Sequence, residues 1–240
     1  LRAFDSDSWS KDAEEIIKFV GLIAIPIALG NIALIDIILG VFGRGYGPAL
    51  VASVAIAIFQ LIGLIGAITD PILRGSERID VQDNADLKNY LRSILFKLVT
   101  MNNLSAITYI AAVAIALLFW KDGDVYTAAL YWNLASFTNI PFLVYKVKMM
   151  RDVGVKVKFP IWNFTKYFIL SVLMFILVLT MKGSLEPYFT KNFVSLISEA
   201  VALTVIGALF YSTAALLLDD YARKIYRETI RGLRLKTFIK

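Results

Sequence analysis

The stretch that decides the fold is residues 16–75, IIKFVGLIAIPIALGNIALIDIILGVFGRGYGPALVASVAIAIFQLIGLIGAITDPILRG. Its return run, Gly45 to Thr69, carries no charged residue over 25 positions. At a rise of about 1.5 Å per residue, a helix of this length more than crosses the roughly 30 Å hydrocarbon core of a bilayer. Glycine and proline cluster between the two apolar runs, where they suit a turn at the membrane interface. The stretch therefore predicts a hairpin of two membrane-spanning helices.

The composition of the whole chain indicates the same class. The 240 residues are 58% hydrophobic, and their mean hydropathy of +0.69 is typical of a polytopic helical membrane protein. Cysteine and histidine are both absent, which excludes disulfides, thiolate metal sites and histidine-dependent catalysis, so we expect neither an enzyme nor a cofactor. The net charge of +6 does not predict a nucleic-acid partner, because in a membrane protein the position of the charges matters more than their total.

Outward from the hairpin, further apolar runs predict four more spans. The predicted fold is an all-α membrane protein of six transmembrane helices in antiparallel hairpins, with spans at about 16–42, 48–69, 93–120, 125–145, 159–181 and 193–218. Ser10 is a possible N-cap before the first span, and Asp70 is expected to end the second because a residue before proline avoids the helical conformation. The segment 221–240 is basic and amphipathic, and either lies on the inner leaflet or is disordered.

The distribution of lysine and arginine predicts the topology. With six alternating spans, 21 of the 25 basic residues fall on one side of the membrane. The other side holds the remaining four, Arg44, Lys121, Lys182 and Lys191. Basic residues are retained on the cytoplasmic side, so both ends of the chain are predicted to be cytoplasmic. The basic inner connections act either as topology determinants alone or also as binding sites for anionic headgroups.

Few side chains in the predicted spans are candidates for chemistry. Asp36 lies late in the first span, where an ionisable group is costly in lipid and so marks a contact with an ion, a proton or a substrate. Alternatively, Asp36 sits at the outer interface near Arg44. Asn31 and Asn133, together with Asn102, Asn103 and Asn139, either line a polar cavity or form hydrogen bonds between helices.

Two parts of the chain resemble a known transporter family. The segments IPIALG (25–30) and FGRGYGPA (42–49) resemble the LP-x-A-L-G … F-G-x-x-Y-x-x-A hairpin of polysaccharide (Wzx-type) flippases, in the multidrug/oligosaccharidyl-lipid/polysaccharide exporter superfamily. PILRGSER (71–78) and YLRSILF (90–96) resemble the connecting segment of archaeal-type members. The resemblance covers most of residues 16–150.

The resemblance implies a place for this chain within a larger transporter. Family members carry about twelve to fourteen spans in two lobes, and the six spans here correspond to the last six. On that basis residues 1–15 are a cytoplasmic lead-in, 16–150 the four-helix C-terminal lobe, 151–218 an additional helix pair, and 219–240 a basic cytoplasmic tail. The missing N-terminal lobe is an expected partner, because the two lobes of such a fold rock against each other to alternate access.

The resemblance also implies a function and a set of site residues. The expected activity is that of a flippase, which moves a polyprenyl-linked oligosaccharide or polysaccharide repeat unit across the cytoplasmic membrane. The residues expected at its substrate cavity are Asn31, Asp36 and Asn133, with Arg44 meeting phosphate or sugar near the outer side. A cation-coupled drug or small-molecule exporter of the same superfamily and a non-transporting membrane scaffold remain alternatives.

Overall fold

The computed structural model describes residues 6–75, 87–119, 124–154, 158–183 and 192–237. These residues are helical almost throughout and contain no β-strand. The α-helices are α1 (Ser6–Phe42), α2 (Leu50–Gly75), α3 (Leu87–Arg92), α4 (Ile94–Leu118), α5 (Val125–Ala135), α6 (Ile140–Asp152), α7 (Ile161–Gly183), α8 (Phe193–Leu218) and α9 (Asp220–Thr237). Short 3₁₀ helices precede α2 at Arg44–Ala49 and join α5 to α6 at Ser136–Asn139.

Within the part of the chain that the structure describes, five helical segments are long and apolar enough to cross a membrane. They are Ser10–Phe42, Gly45–Gly75, Ile94–Leu118, Ile161–Lys182 and Phe193–Leu218. Their outer surfaces are also apolar: Ile107 and Ile110 on α4 are each more than 60% exposed, which suits contact with lipid tails and not with water. The predicted class of an all-α, multi-pass membrane protein is thus supported, whereas the count of six spans stays a prediction.

The predicted fourth span is an interrupted helix. Residues 125–152 form α5, the 3₁₀ turn Ser136–Asn139 and α6 in direct succession. Pro141 accounts for the interruption, because it has no N–H to donate and its ring crowds the carbonyl of Phe137 four residues earlier. The N–H of Ile140 bonds to that carbonyl instead, and the backbone on either side of the turn keeps right-handed helical angles. Neither α5 nor α6 alone is long enough to cross a bilayer.

Two predicted helix boundaries are wrong, and one turn is confirmed. The first helix begins at Ser6, so Ser10 lies inside it and is not its N-cap. Asp70 does not end α2, which continues through Pro71 to Gly75. Burial of Ile72 and Leu73 after the proline outweighs the local preference for leaving the helix. The predicted turn after the first span is present: Gly43 has φ +123°, a conformation that residues with a side chain rarely adopt, and its carbonyl accepts the N–H of Tyr46.

The helices group into two compact units. The first unit consists of Leu1–Val20 with Pro48–Pro160. Its buried core contains apolar side chains from α1, α2, α4 and α6, namely Ala13, Ile72, Leu73, Leu98, Met149 and Met150. The N-terminus of α5 is capped by Asp124, whose pKa is lowered by hydrogen bonds from the Thr127 hydroxyl and the Tyr126 backbone.

The second unit consists of Gly21–Gly47 with Ile161–Lys240. Here the larger part of α1 packs with α7 and α8, and the buried cluster is Ala33, Leu34, Ile37, Val178, Leu196 and Leu203. The two arms of the predicted hairpin 16–75 therefore belong largely to different units. The predicted domain boundaries at residues 15, 150 and 218 concern membrane topology and stay predictions.

Candidate functional site

A charged cluster joins three helices of the first unit. The carboxylate of Asp70 on α2 lies 2.8 Å from the Nζ of Lys146 on α6. Its other oxygen, Oδ2, accepts a hydrogen bond of 3.3 Å from the side-chain amide of Asn102 on α4. The side chain of Lys146 is only 9% exposed, and that of Asp70 is about one-quarter exposed. A carboxylate and an ammonium thus neutralise each other within a largely apolar bundle.

The local sequence explains why these side chains meet. Because α2 continues past Pro71, Asp70 is held one turn before the helix end. On α6, Lys146 shares one face with Met149 and Met150, since residues three and four positions apart lie on the same side of a helix. The two methionines are buried in the core of the unit, so the lysine on the same face is buried beside them.

An open cleft of about 570 Å³ lies beside this cluster. It is lined by Gly63, Gly66, Ala67, Asp70, Pro71, Arg74 and Lys146. The small residues Gly63, Gly66 and Ala67 of α2 leave space in the cleft, and Asp70, Arg74 and Lys146 supply its charges. Two cations and one carboxylate leave one positive charge in excess. The volume and the charge suit a polar or anionic group of small-molecule size.

A second polar contact ties α4 to the interrupted helix. The hydroxyl of Ser105 donates a 2.6 Å hydrogen bond to the side-chain carbonyl of Asn139. Together with the bond from Asn102 to Asp70, this contact bears out the expectation that intramembrane asparagines bond between helices, at two of the five predicted positions. Such bonds fix the position of α4 against α2 and against the 3₁₀ turn at Ser136–Asn139.

The second unit contains a separate ion pair at Asp36. The Nζ of Lys182 on α7 lies 2.6 Å from Asp36 Oδ1 and also donates to the backbone carbonyl of Ala33, at 2.8 Å. Both side chains are largely buried, with Lys182 13% and Asp36 26% exposed. The ionisable group predicted from the sequence therefore has a cationic partner from a different helix, which reduces the cost of placing it in the membrane.

The other predicted site residues belong to two different compact units. Asn31 is exposed on α1 and belongs to the second unit with Asp36. Asn133 belongs to the first unit, and its amide donates to the carbonyl of Ala129 one turn earlier in its own helix, at 2.7 Å. Arg44 lies in the 3₁₀ helix before α2, and its side chain is outside the described part of the structure. Their assignment to one substrate cavity stays a prediction.

Sequence reasoning did not select Asp70 and Lys146 as site residues. Asp70 was interpreted as a helix terminator and Lys146 as one of the basic residues that determine topology. Two signals pointed to them: a carboxylate that immediately follows a charge-free run of 25 residues, and a lysine followed three and four positions later by methionine. On a helix, residues three and four positions apart lie on the same face, so the two methionines place Lys146 on the buried side of α6.

Comparison of the chain with protein-family models, with curated proteins and with solved structures gave no match.

Proposed function

We propose that this chain is the C-terminal half of a flippase that moves a lipid-linked oligosaccharide across the cytoplasmic membrane. The observation that carries the proposal is the cleft beside Asp70, Lys146 and Arg74, on helices that also belong to an apolar, multi-span bundle. The resemblance of residues 16–150 to polysaccharide flippases supports the same class. In this proposal the chain has six spans, and both of its ends lie in the cytoplasm.

The chemistry of such a substrate matches the cleft. A polyprenyl-phosphate oligosaccharide has a large polar head that cannot cross hydrocarbon unaided, while its lipid tail can remain in the bilayer. A site for the head needs hydrogen-bonding groups and positive charge shielded from lipid, because polar groups without partners are costly there. Arg74 and Lys146 provide positive charge for a phosphate, and the carboxylate of Asp70 provides acceptors for sugar hydroxyls.

The proposal needs one span beyond the five candidates, and this span, the fourth in chain order, is the interrupted helix from Val125 to Asp152. Its 28 residues are sufficient in number to cross a bilayer, and the 3₁₀ turn at Ser136–Asn139 keeps hydrogen bonds within the segment. Interrupted helices of this kind are tolerated in membranes where neighbouring helices cover the freed polar groups. The hydrogen bond from the Ser105 hydroxyl to the side chain of Asn139 holds α4 beside the break.

The proposal also requires a second lobe. Transporters with this architecture alternate access by moving one lobe against the other, so six spans alone are not expected to transport. The coding sequence upstream of Leu1 is the first check, and it should encode another six to eight hydrophobic spans. A coding sequence that lacks them would contradict the assignment of this chain to a C-terminal half.

A vesicle assay tests the activity itself. The full-length protein is reconstituted into liposomes that contain a fluorescently labelled polyprenyl-linked oligosaccharide, and the appearance of the label on the opposite leaflet is followed with an impermeant quencher. We expect transfer well above that of protein-free vesicles, a slower rate for Arg74→Gln, and an unchanged rate for Lys148→Gln, an exposed cation on the same helix as Lys146. Transfer no faster than in protein-free vesicles overturns the flippase proposal and favours a scaffold. An unchanged rate for Asp36→Ala removes Asp36 from the site.

A cation-coupled exporter is the second candidate function. The observation that favours it is the presence of two carboxylates, Asp36 and Asp70, within helices long enough to span the membrane. In that mechanism a cation or proton competes with Lys182 or Lys146 for the carboxylate. Transport of a small cationic dye that depends on an imposed Na⁺ or pH gradient, without transfer of the lipid-linked sugar, distinguishes the exporter from the flippase.

A further inference from the structure

A buried carboxylate connects the last two helices of the chain. Asp219 is 2% exposed and takes an extended backbone conformation between α8 and α9, with φ −128° and ψ 120°. Its Oδ2 accepts hydrogen bonds from the hydroxyl of Tyr167, at 2.9 Å, and from the backbone N–H of Ala222, at 3.2 Å. Asp219 therefore caps the N-terminus of α9 and ties it to α7.

The connection lies at the end of a candidate membrane span. Leu217 and Leu218, the last residues of α8, are 71% and 63% exposed, as is expected for side chains that face lipid. On α7, the Nζ of Lys166 lies 3.7 Å from Asp219 Oδ1 and 5.8 Å from the centre of the Trp162 ring. Lysine and tryptophan are characteristic of the level at which a span meets the headgroups. The helix α9 therefore begins at the membrane surface.

The two sides of α9 differ in chemistry. One side carries an exposed basic stripe, which we define as Arg223, Lys224, Arg227 and Arg231. These positions fall within about one-third of the helix circumference. On the other side Ala222 is buried, Ile225 is half-buried and Tyr226 is 54% exposed. Over its whole length the helix has six basic residues and two acidic ones. Both acids, Asp220 and Glu228, lie beside the basic stripe, where Asp220 pairs with Arg223 and the cations stay in excess.

We propose that α9 is an interfacial helix whose basic stripe binds the headgroups of anionic lipids. The occupant is the bilayer surface itself, because the helix starts at headgroup level, the four cations of the basic stripe share one side, and Ala222, Ile225 and Tyr226 share another. Clusters of four to eight basic residues on an amphipathic helix at a membrane surface are attracted to acidic lipids, and each basic residue contributes about 1 kcal/mol. This energy corresponds to a roughly fivefold change in the binding equilibrium per residue. This inference does not depend on what the protein transports.

The absence of cysteine from the chain allows a clean measurement. Tyr226→Cys, labelled with a polarity-sensitive fluorophore, reports whether α9 is docked on the bilayer. The whole chain is placed in nanodiscs of phosphatidylcholine alone or with 30% phosphatidylglycerol. We expect a blue-shifted emission in the anionic discs that is reversed in 0.5 M salt, where screening shortens the range of the attraction. Arg223→Gln, Arg227→Gln and Arg231→Gln together should lower the docked-to-undocked ratio by up to about fivefold for each charge removed.

A matched control separates the basic stripe from net charge. Lys148→Gln, Arg151→Gln and Lys158→Gln remove three exposed cations of the first unit and should leave the response of the probe at residue 226 unchanged. The proposal is overturned if emission is the same in neutral and anionic discs, or if both triple variants behave alike. It is also overturned if the probe shifts only when a soluble acidic polypeptide is added, which would identify a protein partner as the occupant.

Discussion

At the scale of single residues, the ion pair between Asp70 and Lys146 is the most informative feature of the first unit. Both charges are largely shielded, so their attraction is strong, but each has lost most of its hydration. Removing one partner leaves the other charge buried and uncompensated, whereas removing both leaves a neutral contact. The stability of the pair is therefore a property of the two residues together and not of either alone.

A double-mutant cycle measures this coupling. We expect Lys146→Met to lower the free energy of unfolding by about 3 kcal/mol, since it removes the cation that pairs with Asp70 and keeps the amide of Asn102 as a neutral partner. The double variant Asp70→Asn with Lys146→Met should lie within about 1 kcal/mol of the unaltered protein. Unfolding is followed by circular dichroism in detergent micelles.

Lys148→Met is the matched control for the cycle, because Lys148 is exposed on the same helix. It should change stability by less than about 0.5 kcal/mol. If Lys146→Met and the double variant lower the free energy of unfolding equally, the coupling is contradicted, and the two residues contribute to stability independently.

At the scale of the elements, the interrupted helix α5 to α6 decides how the chain crosses the membrane. The local sequence accounts for the break, because Pro141 cannot donate to Phe137 and the chain tightens to a 3₁₀ turn. Whether the two halves together cross the bilayer depends on their alignment and on cover from α4. If α5 and α6 instead form a re-entrant segment, the start of α5 and the end of α6 lie on the same side of the membrane.

Single cysteines at the two ends distinguish these arrangements. Val125→Cys and Arg151→Cys are both at exposed positions in a chain without native cysteine. We expect an impermeant maleimide to label them from opposite sides of the membrane in intact cells. Phe193→Cys and Asp220→Cys, at the ends of the uninterrupted helix α8, are the reference pair for a full crossing. Labelling of residues 125 and 151 from one side, with the reference pair divided, would show a re-entrant segment.

At the scale of the whole molecule, the positions of the basic residues predict an even number of spans. With six crossings, 21 of 25 lysine and arginine residues would lie on one side, and the positive-inside rule predicts that this side is cytoplasmic. Among the described residues, five helices already qualify as spans by length and hydropathy. The interrupted segment therefore determines whether the two ends of the chain lie on the same side.

Reporter fusions test this parity. A fluorescent protein that matures only in the cytoplasm is fused to the N-terminus or to the C-terminus, and we expect both fusions to be fluorescent. An alkaline phosphatase fused after Gly183, at the end of α7, should instead be exported and active. Fluorescence from only one of the two terminal fusions would mean an odd number of spans, and the predicted assignment of basic residues to the two sides would then be wrong.

The sequence by itself determined the class of protein, the approximate limits of the long helices and the turn at Gly43. These features depend on local, additive properties: hydropathy summed over a helix length, and the backbone freedom of glycine. The same local reasoning placed a helix end at Asp70, and was wrong there. Tertiary structure decided that point, because burial of Ile72 and Leu73 contributes more than the conformational preference of a residue before proline.

Only the tertiary structure decided which charged side chains meet. Asp36 and Lys182 are 146 positions apart, and Tyr167 and Asp219 are 52 apart. Hydropathy indicates that such residues lie in or near the membrane, but it carries no information about which helix faces which. Their partners are selected by helix packing and by the cost of leaving a charge without a counterion in a medium of low dielectric constant, and both arise only once the chain has folded.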